Sequence, residues 1–186
     1  VSGQSMPAGL EEGLAFPEGP RWHDGRLWFS DMHQHKVFSV SPGGSLEEVC
    51  RLPKKPSGLG WLPEDGRNDS GRLLAVSMLD RRLMRLDPDG PTELADLSAL
   101  ASYHCNDMVV DVAGRAYIGN FGFDIESAPG ESPTPRPAEI IMVDRDGSAR
   151  VVADELMFPN GTVISPDGRT LVVCETFASR LTAFDI

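Results

Sequence analysis

Pro159-Asn160-Gly161-Thr162-Val163-Ile164, Ser165-Pro166-Asp167-Gly168, Thr170-Leu171-Val172-Val173-Cys174, then Arg180-Leu181-Thr182-Ala183-Phe184: this run reads as strand, turn, strand, strand. β-Branched and aromatic residues fill the apolar stretches, and Ser-Pro-Asp-Gly supplies the fixed and left-handed backbone angles that a hairpin turn requires. Three earlier stretches follow the same order, starting at Pro17-Glu18-Gly19-Pro20, Pro56-Ser57-Gly58-Leu59 and Cys105-Asn106-Asp107-Met108. The repeats fall at roughly 17–55, 56–104, 105–158 and 159–186. A period of about 40 to 50 residues, with three or four short strands in each, marks propeller blades, because one such sheet cannot bury its faces alone. The expected fold class is all-β, a single β-propeller domain over 1–186 with about four blades present.

Within the first repeat, Trp22-His23-Asp24-Gly25 is expected as the turn, Arg26–Ser30 as strand two and Lys36–Val40 as strand three. Outer fourth strands are expected at Leu46–Cys50, Thr92–Ala95 and Ala149–Val152. Two stretches break the period. Pro63–Arg72 lengthens one hairpin with turn-forming residues, and the proline-rich Glu126–Pro137 is expected as a rim loop, since it is too poor in N–H donors to pair in a sheet. The fourth repeat lacks an outer strand, which reads as an arc about two blades short of closure, with Leu10–Phe16 as the strand that would close the last blade. Trp22, Trp28 and Trp61 are expected to pack between sheets.

Composition narrows the function classes. The 186 residues are 40% hydrophobic and 24% charged, enough apolar material for a core. The formal net charge is −11 and no basic cluster exceeds a pair of residues, which argues against nucleic acid as a partner. No apolar run approaches the ~18 residues of a membrane span, and Val1–Ala8 lacks the features of a signal peptide, so a cytoplasmic location is the default expectation. Cys50, Cys105 and Cys174 have no CxxC spacing and read as isolated reduced residues.

The repeats also superpose chemistry. Aligning Gly19, Gly58, Asp107 and Gly161 places Glu18, Ser57, Asn106 and Asn160 at one position of every blade, hence on one ring around the axis. A carboxylate, a hydroxyl and two carboxamides offer hard oxygen ligands of the kind Ca²⁺ takes. The other reading of any single Asn before Gly is a turn residue tolerant of left-handed angles. No G-x-S-x-G elbow is present, so α/β-hydrolase chemistry is not supported.

Pro17-Glu18-Gly19-Pro20-Arg21-Trp22, Leu27-Trp28-Phe29-Ser30-Asp31, Asn106–Asp111 with Gly114-Arg115, and Asn160-Gly161 with Pro166–Thr170 together make the chain resemble the regucalcin (senescence marker protein)/gluconolactonase family of six-bladed β-propellers. The resemblance implies a metal-dependent lactone hydrolase acting on a small lactone or ester. It also implies one axial divalent metal ion, Ca²⁺ first, with Zn²⁺, Mg²⁺ or Mn²⁺ as alternatives. By the same resemblance the metal ligands are Glu18 and Asn160, with Asn106 binding substrate and approaching the metal. The remaining ligand, an Asp expected to double as the base, would lie beyond Ile186, leaving no catalytic base within the chain. Two substrate positions also carry over, Asp124 and His104, the latter standing where relatives place Arg, so that a pH-dependent group replaces a bidentate fork. The alternatives are a propeller that binds a metal or a protein partner without catalysis, and an esterase or organophosphate hydrolase on the same scaffold.

Overall fold

The computed structural model describes residues 13–64, 67–125 and 134–186. Among the described residues fifteen strands form four antiparallel meanders. Blade one is β1 (Pro17–His23), β2 (Arg26–Asp31), β3 (Lys36–Val40) and β4 (Leu46–Arg51). Blade two is β5 (Pro56–Glu64), β6 (Arg67–Ser77), β7 (Arg82–Asp87) and β8 (Gly90–Asp96). Blade three is β9 (Cys105–Val110), β10 (Ala116–Asn120), β11 (Ala138–Val143) and β12 (Ala149–Leu156), and blade four is β13 (Pro159–Ile164), β14 (Thr170–Glu175) and β15 (Arg180–Asp185). The protein is thus all-β, with four blades in a propeller arrangement, and no helix occurs among the described residues. In particular, no described helix is long and apolar enough to cross a membrane.

The middle strands explain why the blades stack. Ala116–Asn120 is buried at every position, and Ala138–Val143 at all but one, because the blade-three sheet is covered on both faces. Leu74, Val76 and Leu83 of blade two meet Met108, Ile118 and Ile141 of blade three. Tyr117, Ile140 and Met142 of blade three meet Leu171 and Val173 of blade four, and Val37 of blade one meets Leu59, Leu73 and Ala75 of blade two. Each fully buried Leu or Ile in these seams contributes roughly 1.5–3 kcal/mol. Because the blades bury their faces against each other in sequence order, their first strands are brought side by side around the axis.

Four local expectations need correction. Trp22 and His23 belong to β1, and the turn is Asp24-Gly25 alone, whose φ angles of 47° and 68° make a two-residue hairpin of the mirror-image type that matches strand twist. Trp22 does not pack between sheets: it is 65% exposed, whereas Trp28 and Trp61 do pack at the seam between blades one and two. The period break at Pro63–Arg72 lengthens the hairpin by extending strands, with β5 reaching Glu64 and β6 resuming at Arg67. Of Leu10–Phe16, the described part, 13–16, forms no strand: the N–H groups of Ala15 and Phe16 donate to the Asp31 carboxylate at 2.7 and 3.1 Å. In the Pro-rich insertion, 126–133 lies outside the described residues and 134–137 is unpaired.

Candidate functional site

Every first strand carries an irregularity near its start. Between Glu18 and Arg21, three steps along β1 oppose two along β2; the same mismatch lies between Pro56 and Leu59, between Cys105 and Met108, and between Pro159 and Thr162. An extra residue in one strand is a β-bulge, which bends the strand and re-aims the side chain at that point. Ser57, Asn106 and Asn160 lie within their bulges, whereas Glu18, still paired with Ser30, stands at the start of its own. Each blade therefore carries a bulge at or beside its ring residue.

Three of these side chains are linked. The Ser57 hydroxyl donates to Asn106 Oδ1 at 3.2 Å, and Asn106 Nδ2 donates to Asn160 Oδ1 at 3.1 Å. Ser57 and Asn106 are buried. Glu18 is partly buried beside an apolar cavity of about 340 Å³ bordered by Leu14, Pro20, Leu27 and Phe29. Burial, with a smaller contribution from the Asp107 charge, raises its carboxyl above the ordinary glutamate value, against a hydrogen bond from Gly19 N–H. Glu18 thus keeps its carboxyl where ionisation is disfavoured, while the other three polar side chains form their own hydrogen-bonded series. Among the described residues no three His, Cys, Asp or Glu side chains converge, so a cation here would rest on one carboxylate plus amide and hydroxyl oxygens.

Close approach of the strands requires small residues. A methyl on Gly58 would lie 2.4 Å from Met108 N, and Gly19 sits at φ 56° with its would-be Cβ 3.2 Å from the Ser57 carbonyl. One to three residues past the ring positions stands a charged pair. Arg21 Nη2 donates to Asp107 Oδ1 at 2.8 Å and to the Met108 carbonyl at 2.7 Å, while Thr162 N–H donates to Asp107 Oδ2 at 3.1 Å. Burial raises the Asp107 carboxyl; Arg21 and the Met108 and Thr162 N–H groups oppose that shift. The signal in the sequence was that Asp107 occupies the position Gly19, Gly58 and Gly161 hold in the other repeats.

Each second strand ends, at the same edge of the propeller, on a buried polar residue paired with the start of the first strand: Asp31 with Pro17, Ser77 with Pro56, Asn120 with Cys105, Glu175 with Pro159. These residues tie down the loops around the site. Asn120 Oδ1 accepts from Gly122 N–H at 2.9 Å, and Glu175 accepts from Met157 N–H at 2.8 Å and from Arg180 Nε at 2.6 Å. Behind them Phe121, Phe123 and Phe158 pack with Phe177 as an aromatic collar. Phe158, two residues before Asn160, holds φ 59°, an angle that costs a bulky side chain of order 1–3 kcal/mol and is sustained by its stacking on Phe121 at 4.8 Å.

The two expected substrate residues are placed differently. His104 precedes β9 at the site end, its ring packed against Tyr103 at 4.2 Å and edge-on to Phe121 at 6.3 Å. Asp124 is exposed and borders a separate hollow of about 350 Å³ with Tyr103, Phe123 and Arg136, in which neither His104 nor Asn106 takes part.

Residues 16–186 match the family described as "SMP-30/Gluconolactonase/LRE-like region". The chain belongs to that family. As a member of the SMP-30/gluconolactonase family it is similar in fold to a gluconolactonase from Xanthomonas campestris, with a TM-score of 0.77, 24% identity, and 95% of this chain and 60% of that one covered. A calcium-binding protein, regucalcin, from Agrobacterium tumefaciens gives a TM-score of 0.73 at 22% identity, covering 95% of this chain and 56% of that one. A chain of a nidogen/laminin complex gives 0.71 at 19% identity over 91% and 60%. This family member thus spans less than two thirds of the length of these solved chains.

Proposed function

We propose that this protein is a metal-dependent lactone hydrolase of the gluconolactonase kind, built on the ring of Glu18, Ser57, Asn106 and Asn160. The observation that supports the reading is a bulge at or beside each of these residues, with Ser57, Asn106 and Asn160 joined in one hydrogen-bonded series. A divalent cation, Ca²⁺ by preference and Zn²⁺, Mg²⁺ or Mn²⁺ otherwise, supplies Lewis acidity toward a lactone carbonyl when bound there. Glu18 supplies the charge and Asn160 an amide oxygen for it. Asn106, fixed between Ser57 and Asn160, keeps its orientation for the cation or for a substrate oxygen. His104 is the proposed specificity residue, since its imidazole offers fewer hydrogen-bond donors than an arginine fork and favours a less hydroxylated lactone or ester. Asp124, if it contacts substrate, does so from the rim. The carboxylate that takes the water's proton is proposed to come from outside residues 1–186.

The alternative, a propeller that binds a cation or a protein without catalysis, is favoured by one observation: Glu18 is the sole carboxylate at the four ring positions. Calorimetric titration with CaCl₂ and MnCl₂, paired with lactone hydrolysis before and after chelation, separates the readings. Glu18→Gln is expected to weaken cation binding at least tenfold, because the anionic ligand is lost while its shape is kept. Equal affinity in both proteins would remove the ring as a metal site; binding without turnover in the full-length protein would favour the non-catalytic reading.

A further inference from the structure

Arg21 makes a contact unlike the other ion pairs among the described residues. It starts on the inner strand of blade one, and its guanidinium ends on the inner strand of blade three, passing that of blade two. A side chain that links the first and third of several strands arranged around an axis crosses the space between them. The two groups are largely buried, with 25% of the Arg21 and 12% of the Asp107 side chain exposed. Blade four joins through Thr162 N–H on the second carboxylate oxygen, so three blades are tied at Asp107. The level is set by the sequence: Arg21 is three residues past Glu18, Asp107 one past Asn106, Thr162 two past Asn160. Arg21 also lines a cavity of about 240 Å³ with Trp22, His23, Trp61 and Val110, in which no ring residue takes part.

We propose that the Arg21–Asp107 pair is the charge-setting floor of the axial site, in which Arg21 holds Asp107 as its counter-ion and so keeps a second carboxylate from acting on a cation seated among Glu18, Asn106 and Asn160. This rests on the reading of the ring as a cation site. Arg21 and Asp107 are positioning residues: neither is asked to ligate the cation in the native protein. Anionic charge near a hard-cation site sets its affinity, so releasing Asp107 strengthens binding, and releasing Arg21 weakens it. A purely structural pair behaves otherwise, since breaking it from either side distorts the same ring and weakens binding both times.

The test is calorimetric titration of the full chain with CaCl₂ and MnCl₂ in wild type, Arg21→Met, Asp107→Asn and the double variant. Arg21→Met is expected to bind about tenfold tighter than wild type, Asp107→Asn about tenfold weaker, and the double variant within threefold of wild type. Should Arg21→Met fail to fold, Arg21→Gln retains N–H donors toward Asp107 without the charge, and the same tightening is expected. Cation binding by Arg21→Met where wild type shows none would also support the proposal. Weaker binding in both single variants, or equal binding in all four proteins, overturns it. If the proteins bind equally and Glu18→Gln alone abolishes binding, the ring reading stands and the floor falls; if no variant binds a cation, both fall.

Discussion

Gly58 is the position at which the axial packing can be tested with one methyl group. Gly19, Gly58 and Gly161 share one place in the repeat, directly after the ring residue, yet their surroundings differ. An alanine Cβ at Gly58 would stand 2.4 Å from Met108 N, 2.8 Å from the Asp107 carbonyl carbon and 3.0 Å from the Asn106 carbonyl oxygen, all backbone atoms of β9. Backbone cannot swing aside as a side chain does, so β5 and β9 must separate. Overpacking of this kind costs about 1–3 kcal/mol. For a chain of this size each kcal/mol moves the melting temperature by about 2–4 °C, so Gly58→Ala is expected to melt about 2–12 °C lower. The same separation stretches the Ser57–Asn106 hydrogen bond, already 3.2 Å long, and cation affinity should fall with it. Gly161→Ala is the internal control, because nothing lies within 4 Å of its would-be Cβ and its backbone is not left-handed. There the loss of unfolded-chain freedom should leave stability unchanged or raised by about 0.4–1 kcal/mol. Differential scanning calorimetry of the three proteins decides the matter. If Gly58→Ala melts no lower than Gly161→Ala, the inner strands are not packed as closely as argued and the ring geometry loses its basis.

Two further outcomes are expected. At Glu175, burial works against ionisation, but Arg180, the Thr182 hydroxyl and Met157 N–H outweigh it and bring the carboxyl down to about 2; a depressed folded value adds stability above the unfolded value near 4.5 that is lost as pH falls toward 2. Urea unfolding from pH 6 to 2.5 should therefore show a steep acid loss in wild type and a shallower one in Glu175→Gln, and parallel curves would refute the assignment. His104→Arg should raise kcat/KM for polyhydroxylated sugar lactones relative to an unsubstituted lactone, measured with spontaneous hydrolysis subtracted; an unchanged ratio would take His104 out of the substrate pocket.

The blades were legible because period-two apolar runs and Gly-containing turns are local signals, repeated four times in one order. Repetition also superposes Glu18, Ser57, Asn106 and Asn160 without any knowledge of distance, and the structure joins the last three by hydrogen bonds. What repetition does not display is the bulge, since an extra residue leaves composition unchanged and only shifts phase. That shift helps explain why Trp22 and His23 read as a turn although they lie in β1, and why Trp22 faces outward.

The charged floor was hidden for a deeper reason. Arg21 and Asp107 are 86 residues apart on non-adjacent blades, so no local pattern couples them. Their only trace is a broken rule: three repeats place Gly after the ring residue and the third places Asp. A glycine there is required where strands nearly touch, as at Gly58, or where φ is positive, as at Gly19. At Asp107 the first strand instead faces Arg21 from one side and Thr162 N–H from the other, and a carboxylate satisfies both. A buried charge so placed is costly unless every partner stays in position, which is why its conformation is tied to three blades at once. A departure from a repeat's consensus at a buried axial position therefore marks the point where blades stop being equivalent, and a site that needs different ligands from each blade requires that inequivalence.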